Sequence, residues 1–495
     1  MLRRNFLFII FLICLTNLFA QWNDDATSNT VISDLNGPQA IPKIGTHEDG
    51  DSYVGWFSND NGNYDVRLQR FDANGNEQWP HNGILISNHE AMSWLTDWDL
   101  KVDYDDYAIL AFQDIRTGNN NVFVYRISPD GEFVWGADGI QLSDSEAFDV
   151  SPKIAVTEAN NIIIVWQADS VIIMQKISPE GELLWGENGI TLSGENTYSW
   201  PQPIAVGEDD IILKFYEDSG PVWAPVRHIL AQRFDADGNP VWNENTVISD
   251  AGGISAWTQL LSGVPDDNDG FFIVWHDDRD ANNLADSFIQ HVTADGETTF
   301  QDNGIPITTQ SGYNHFYPRV SYIPETEEIY IFWNEMDGNQ NLRGIFGQKM
   351  NLSGDRLWGD TGIAFVSLSE TNVLPIAVRK SETDVVVFFT EYQNSLASIL
   401  KAMRINGDGN YIWEAEQISM SSLSSEKMHF DVNRFNNDQW IAVWEDLRND
   451  DGDIYGQNIH LNGELGGGSL AENYQINSDD NLFPKRRHQK RTDGN

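Results

Sequence analysis

Six acidic residues recur at one place in the chain, each two or three positions after an aromatic that ends a β-rich run: Asp114, Asp169, Asp277, Glu335, Glu391 and Asp446. Two carboxylates about 5–10 Å apart can hydrolyse a glycosidic bond, and a single carboxylate accepts hydrogen bonds from sugar hydroxyls. The segments that would connect these runs are rich in rings: Trp94 and Trp98, Phe148, Tyr198 and Trp200, Trp257, Tyr313, Phe316 and Tyr317. Aromatic rings stack on the apolar faces of sugars and peptides. Trp94, Trp98, Trp200, Trp257, Tyr313, Phe316 and Tyr317, together with Asp114, Asp277 and Asp446, are therefore the candidate ligand-binding residues. A plainer reading outweighs this one: aromatics ahead of a strand usually pack in the core, and repeated acids usually satisfy turn backbone. No residue is assigned a catalytic role.

Other chemistries are poorly served. The one cysteine, Cys14, lies in the N-terminal apolar run, so the rest of the chain holds no disulfide, thiolate zinc site or cysteine nucleophile. The ten histidines show no His-x-His or His-Glu-x-x-His spacing. There is no Gly-x-x-x-x-Gly-Lys loop for phosphate and no Gly-x-Ser-x-Gly for a serine nucleophile. Three oxygen-rich stretches, 59–65, 265–270 and 449–453, have the residue types that calcium takes, but none closes with the glutamate of a twelve-residue loop. Asp, Asn and Gly are equally what a tight turn needs, so no cofactor is assigned and calcium stays open.

The elements that must position these residues show in the chain's self-similarity. Gly75, Gly131, Gly181, Gly238, Gly296, Gly354, Gly409 and Gly463 follow one another at 56, 50, 57, 58, 58, 55 and 54 residues. Seven of them are followed four residues later by an aromatic: Trp79, Trp135, Trp185, Trp242, Phe300, Trp358 and Trp413. A second marker keeps step, the β-rich runs ending at Trp56, Phe112, Trp166, Phe215, Trp275, Trp333, Phe389 and Trp444. Each unit reads strand, polar turn, strand, loop, strand, Asp/Asn-Gly turn, strand, with no apolar i, i+3, i+4 stripe. Eight such units predict an all-β, eight-bladed β-propeller of four-stranded antiparallel blades. The eighth unit lacks its last strand. Trp22-Asn23-Asp24 leading to Thr30-Val31-Ile32-Ser33 echoes Trp242-Asn243-Glu244 leading to Thr246-Val247-Ile248-Ser249. The N-terminal strand is therefore expected to close the ring, with Glu472–Asn477 a competitor for the same place. Antiparallel alternation puts the loops between second and third strands on one face with the blade-to-blade connections, and the tight turns on the other.

The Asp-x-x-Gly-x-x-x-Trp unit resembles the repeat of quinoprotein-like eight-bladed propellers, a family that includes pyrroloquinoline-quinone dehydrogenases and cofactor-free outer-membrane assembly factors. That resemblance implies a docking role against the neighbouring blade for Trp79, Trp135, Trp185, Trp242, Trp358 and Trp413. Pyrroloquinoline quinone itself is not expected, because the dehydrogenases' adjacent cysteine pair is absent. The Trp-x-Asp-x-Arg segments at 275–279 and 444–448 resemble repeats of exported bacterial proteins that often end in a secretion sorting domain. Here Leu482-Phe483-Pro484 is followed only by a basic stretch.

Length and charge frame the rest. The chain has 495 residues and a net charge of −45, which would repel nucleic acid and anionic membrane surfaces. Its 40% hydrophobic content is enough for a large core. Residues 1–20 have the layout of a cleaved secretory signal, Arg3 and Arg4 before an apolar run that ends at Ala20. No later stretch is apolar enough to span a bilayer. The expected organisation is signal peptide 1–20, propeller 21–478 and a basic tail 479–495. The expected function is an extracytoplasmic (periplasmic, cell-surface or secreted) non-enzymatic module that binds carbohydrate or a protein partner through one rim. The alternatives are a secreted polysaccharide hydrolase using two rim carboxylates and a purely structural cell-surface protein.

Overall fold

A computed structural model of the chain describes residues 22–47, 51–91, 95–221, 224–254, 261–435, 439–449 and 451–467. Every regular element among them is a β-strand. Six sheets have four antiparallel strands, over 39–87, 99–141, 149–192, 197–249, 262–306 and 313–369. A seventh sheet has seven strands because the 18-residue strand Ile418–Phe435 belongs to two blades. Its first half pairs with Ala397–Ile405 as the last strand of blade 7, and its second half pairs with Gln439–Asp446 as the first strand of blade 8. The result is eight blades, whose strands are called A to D from the channel outward. The A strands are neighbours of one another around the whole ring, blade 8 meeting blade 1. The core is divided in the same way, since eight separate apolar clusters each fill one seam between consecutive blades. B strands such as Phe271–Asp277 are buried along their full length, which is why they read as near-continuous apolar runs.

The ring closes through the N-terminus. Thr30–Ser33 pairs antiparallel with Asp453–His460 as strand D of blade 8, so the third strand of that blade is not left as an edge. Closure extends to the docking residue. In each blade the turn glycine between strands C and D has φ between 78° and 92°. A Cβ on that glycine would fall 2.5–3.5 Å from the aromatic of the preceding blade: Trp79 against Gly131, Trp135 against Gly181, Trp185 against Gly238, Trp242 against Gly296, Phe300 against Gly354, Trp358 against Gly409 and Trp413 against Gly463. Only glycine meets both demands, the left-handed backbone and the close approach. Blade 8 has no aromatic of its own after Gly463, and Trp22 takes the place, packed on Gly75 and stacked 5.2 Å from Phe71. The residue three before the glycine caps the turn, as when Asp235 Oδ1 accepts the backbone N–H of Asp237 at 3.0 Å and of Asn239 at 2.8 Å. The segment 472–477 and the basic stretch lie outside the described residues.

Candidate functional site

The face bearing the B–C loops carries the recurring acids, and local geometry explains their spacing. Residues i and i+2 of a strand lie on the same side. Trp275 and Asp277 are so related, and the indole Nε1–H donates to Asp277 Oδ2 at 2.8 Å. Arg279, two residues further, grips the same carboxylate with Nε at 2.8 Å and Nη2 at 2.7 Å while its guanidinium lies 3.4 Å over Phe288 of strand C. Trp444, Asp446 and Arg448 repeat the arrangement at 2.9 and 2.5 Å, with Arg448 over Tyr455. In blade 2 the tryptophan is Phe112, and Arg116 still holds Asp114 at 2.5–3.0 Å above Phe123. Blade 6 has Asp337 where the arginine would stand, so Glu335 takes the Trp333 indole at 2.7 Å and faces His315 Nε2 at 3.4 Å. Glu391 pairs with Lys401 at 2.5 Å, and Asp169 Oδ1 accepts the N–H of Phe148 at 3.1 Å.

This geometry corrects the open acidic rim expected from sequence. Asp114, Asp277 and Asp446 are 2%, 1% and 0% exposed, with their oxygens committed within the protein. A buried indole N–H needs an acceptor, a buried carboxylate needs a cation, and the aromatic beneath the arginine shields all three. Trp98 is corrected likewise: it is fully buried against Phe57 and donates to the Ile41 carbonyl at 2.8 Å. Trp94 and Trp257 lie outside the described residues.

Trp200, Tyr313, Phe316 and Tyr317 are at least partly open, Trp200 being 39% exposed. Tyr313 pairs with Asp337 at the start of its strand. Phe316 and Tyr317 lie 5.7 Å apart, with His276 of the preceding blade edge-on to both at 5.2 and 5.4 Å. Burial, and then the nearby Arg319, push the His276 imidazole down to about 3, so the ring is neutral at physiological pH.

What sequence reading missed is the backbone that carries these rings. Ile41, Ser151, Trp200, Tyr317 and His429 have φ of 50°, 52°, 53°, 54° and 49°, all at the same break in A-strand register in blades 1, 3, 4, 6 and 8. Left-handed backbone costs a non-glycine residue about 1–3 kcal/mol, which the surroundings must repay. Part of the repayment crosses the blade seam: Ile41 N–H donates to Glu445 at 3.4 Å, Trp200 N–H to Gln167 at 3.3 Å and Tyr317 N–H to His276 Nδ1 at 3.4 Å. The visible signal was a proline after four of the five, Pro42, Pro152, Pro201 and Pro318, since a residue without N–H suits a gap in the ladder.

The opposite face holds the docking residues. The indoles of Trp135, Trp185, Trp242, Trp358 and Trp413 donate to the carbonyls of Pro179, Ala236, Ala294, Gly407 and Leu461 at 2.9–3.1 Å, each two residues before a turn glycine of the next blade. Trp79 packs on Gly131 in the same manner. A cavity of about 350 Å3 opens on this face between the inner strands of blades 1 to 4, beside Thr46, Lys101, Tyr104, Ala155 and Pro203. In the oxygen-rich stretch 265–270, Asp266 Oδ1 accepts the N–H groups of Asn268 and Gly270, both at 2.8 Å, and His291 Nε2 meets Oδ2 at 2.8 Å. Among the described residues no group of three or more His, Cys, Asp or Glu is arranged to hold a metal ion.

The chain is similar to solved β-propellers. The Dos1 propeller is 10% identical over 91% of this chain and 96% of its own, with a TM-score of 0.45. The WD40 domain of SCAP from fission yeast is 9% identical over 88% and 98%, at 0.44, and the polysaccharide lyase Uly1 is 10% identical over 87% and 92%, at 0.44. No protein-family model and no curated protein sequence matches the chain. At such identities the likeness concerns the fold, and propellers of both binding and catalytic kinds share it.

Proposed function

We propose that this protein is an exported, non-enzymatic binding module that takes carbohydrate or a protein partner at the mouth of the central channel, on the face of the B–C loops. The observation that carries this reading is Trp200: an indole 39% exposed, held out on left-handed backbone at a position where Tyr317 stands in blade 6. Strain retained under an exposed ring fits a role in contact. The rival hydrolase needs two carboxylates facing a concave site with one held protonated, whereas the recurring acids of this face are engaged within the protein. Export rests on the N-terminal segment alone, and a periplasmic, surface or secreted location is equally compatible with it.

The test is a glycan array and polysaccharide pull-down with the chain from Gln21 onward, with and without calcium, read for retention and for released sugar. Retention without release, reduced in Trp200→Ala and Tyr317→Ala, is the expected result. Released sugar would replace this reading with the hydrolase. Silence toward every glycan would move the ligand to a protein partner.

A further inference from the structure

The channel wall runs against the chain's overall charge. Arg319 on strand A of blade 6 and Arg379 on strand A of blade 7 both sit half-buried on the innermost strands. Arg116, Arg279 and Arg448 on the same face each hold a carboxylate, but neither Arg319 nor Arg379 forms an ion pair among the described residues. They hold backbone instead. Arg319 Nε donates to Ile376 O at 2.9 Å and Nη1 to Pro318 O at 3.2 Å. Arg379 Nε and Nη2 both donate to Val432 O, at 2.9 and 2.7 Å. Among the described residues Arg319 Nη2 has no acceptor, so one edge of its fork remains for something else. The two cations also repel: burial, and then Arg379, lower Arg319 to about 10, and burial lowers Arg379. The acid that offsets Arg379, Asp431, spends its oxygens on the N–H groups of Val432 at 2.9 Å and Ile44 at 3.0 Å.

Two guanidinium groups on neighbouring inner strands of the channel wall share one offsetting carboxylate, Asp431, and the remaining positive charge is costly unless an anion arrives. A planar fork suits a carboxylate or sulfate, which it takes through two parallel hydrogen bonds. Arg319 acts electrostatically on the neutral His276 and on Tyr317, and the Phe316 ring adjoins both, so flat, uncharged surface lies near the fork.

From this juxtaposition we infer that Arg319 and Arg379 form an oxyanion subsite at the channel mouth, selecting a saccharide that carries carboxylate or sulfate groups. The inference rests on the binding reading above and names the ligand class for it. The remaining fork edge takes the acid group, while the Phe316 and Tyr317 rings meet the sugar ring. The acidity of the whole chain does not forbid this, because at 0.15 M salt charges more than about 8 Å away are largely screened and direct pairs persist.

The experiment uses the chain from Gln21 onward and titration calorimetry at 0.15 M salt with oligogalacturonate, a sulfated galactan and a neutral galactan. Wild-type protein should prefer the two anionic polymers to the neutral one by about tenfold or more, a difference of roughly 1.4 kcal/mol. Arg319→Gln should abolish that preference, and Arg319→Lys, which keeps charge but loses the fork, should recover only part of it. Thermal unfolding of each variant separates this from a purely structural stitch to Ile376, which would lower Tm while leaving the preference intact. If Arg319→Gln does not fold, free glucuronate against glucose in a thermal-shift assay of wild-type protein decides, since only the acid should raise Tm. Equal affinity for neutral and anionic polymers would overturn the subsite and leave the binding module standing. No affinity for any of them would overturn the subsite and the saccharide reading together and leave a protein partner as the ligand.

Discussion

The indole N–H of Trp275 donates to Oδ2 of Asp277, its neighbour two residues along the same strand, at 2.8 Å. That single bond turns a recurring sequence spacing into a structural device. The strand Phe271–Asp277 is buried along its full length, so the tryptophan near its end needs an acceptor, and the nearest same-side position supplies it. The carboxylate so buried needs a cation, which Arg279 supplies from two positions further on. Acids that look available for chemistry in the sequence are consumed by the requirements of a core.

The first prediction follows from the tightest of these locks. Asp446 is fully buried; despite desolvation, hydrogen bonding to Arg448 and the charge of Lys427 hold its carboxyl below the usual range. Asp446→Ala removes the carboxylate that both cations face and leaves the Trp444 indole without its acceptor, and losing one partner of a buried pair costs about 3–5 kcal/mol. Denaturant unfolding at pH 7 should show that loss. Because the folded carboxyl is the stronger acid, the wild-type advantage should be full at neutral pH and should shrink as pH falls through and below the ordinary carboxylate range. A variant equal to wild type in stability would remove the lock from the account.

Blade 3 reverses the sign. There strand B ends at Ala168, and the acceptor for Trp166 comes from strand A as Asp149 Oδ1 at 3.0 Å. No cation among the described residues pairs with it, and burial raises its carboxyl above the ordinary value. A raised folded pKa means that stability falls as pH rises through the carboxylate range. Asp149→Asn keeps the acceptor and removes the charge, so its Tm should match or exceed that of wild type at pH 7, with the difference vanishing at low pH. A lower Tm at pH 7 would show that the charge is compensated.

His315 titrates in the other direction. It is fully buried between Asp286 Oδ1 at 2.9 Å and Glu335 Oε2 at 3.4 Å, and although burial opposes its charge, these partners raise it to about 9. Its contribution is therefore complete below the ordinary histidine value and is lost as pH rises toward about 9. Wild-type Tm should fall over that window, and His315→Asn should flatten that part of the profile. An unchanged profile in the variant would assign the fall to other groups.

The fold was legible because its demands are repetitive. Gly238 must be glycine for its backbone and for Trp185, and the same pair of demands recurs in every blade, so it appears as a period. The mouth was legible only in part. Trp98 and Trp200 are both aromatics at the start of an inner-strand segment, Trp98 just before Asp99–Val102 and Trp200 within Thr197–Val206, and nothing in their types tells that one is buried over Phe57 while the other is partly exposed. The difference lies in register: Trp98 occupies the position of Pro42, and Trp200 the left-handed position of Ile41, one residue earlier. Arg319 and Arg379 are sixty residues apart and come onto neighbouring inner strands only through the ring, a juxtaposition that no local pattern announces.

Ring closure gives a prediction with a global readout. Trp22 supplies the docking aromatic that the eighth turn lacks, and Thr30–Ser33 supplies its last strand. Trp22→Ala removes a buried indole, at about 3–5 kcal/mol. A chain starting at Asp34 also exposes the edge of Asp453–His460, and should show a lower Tm and concentration-dependent association by size-exclusion chromatography. A shortened chain that stays monomeric with unchanged Tm would mean that another segment closes the ring.

Trp200 separates stability from function at a single position. Its φ of 53° is unfavourable for any residue with a Cβ, while its indole is largely outside the core. Glycine accepts that backbone freely and keeps the N–H that reaches Gln167. Relief of the strain should raise stability by about 1 kcal/mol, partly offset by the entropy glycine adds to the unfolded chain. Trp200→Gly should therefore unfold at or slightly above the wild-type temperature while retaining less saccharide in a pull-down. Trp200→Ala, which keeps the strain, should lose retention equally without the gain in Tm. If both variants lower Tm by several degrees, the indole is a packing element of the blade seam, and the channel mouth loses its best candidate contact.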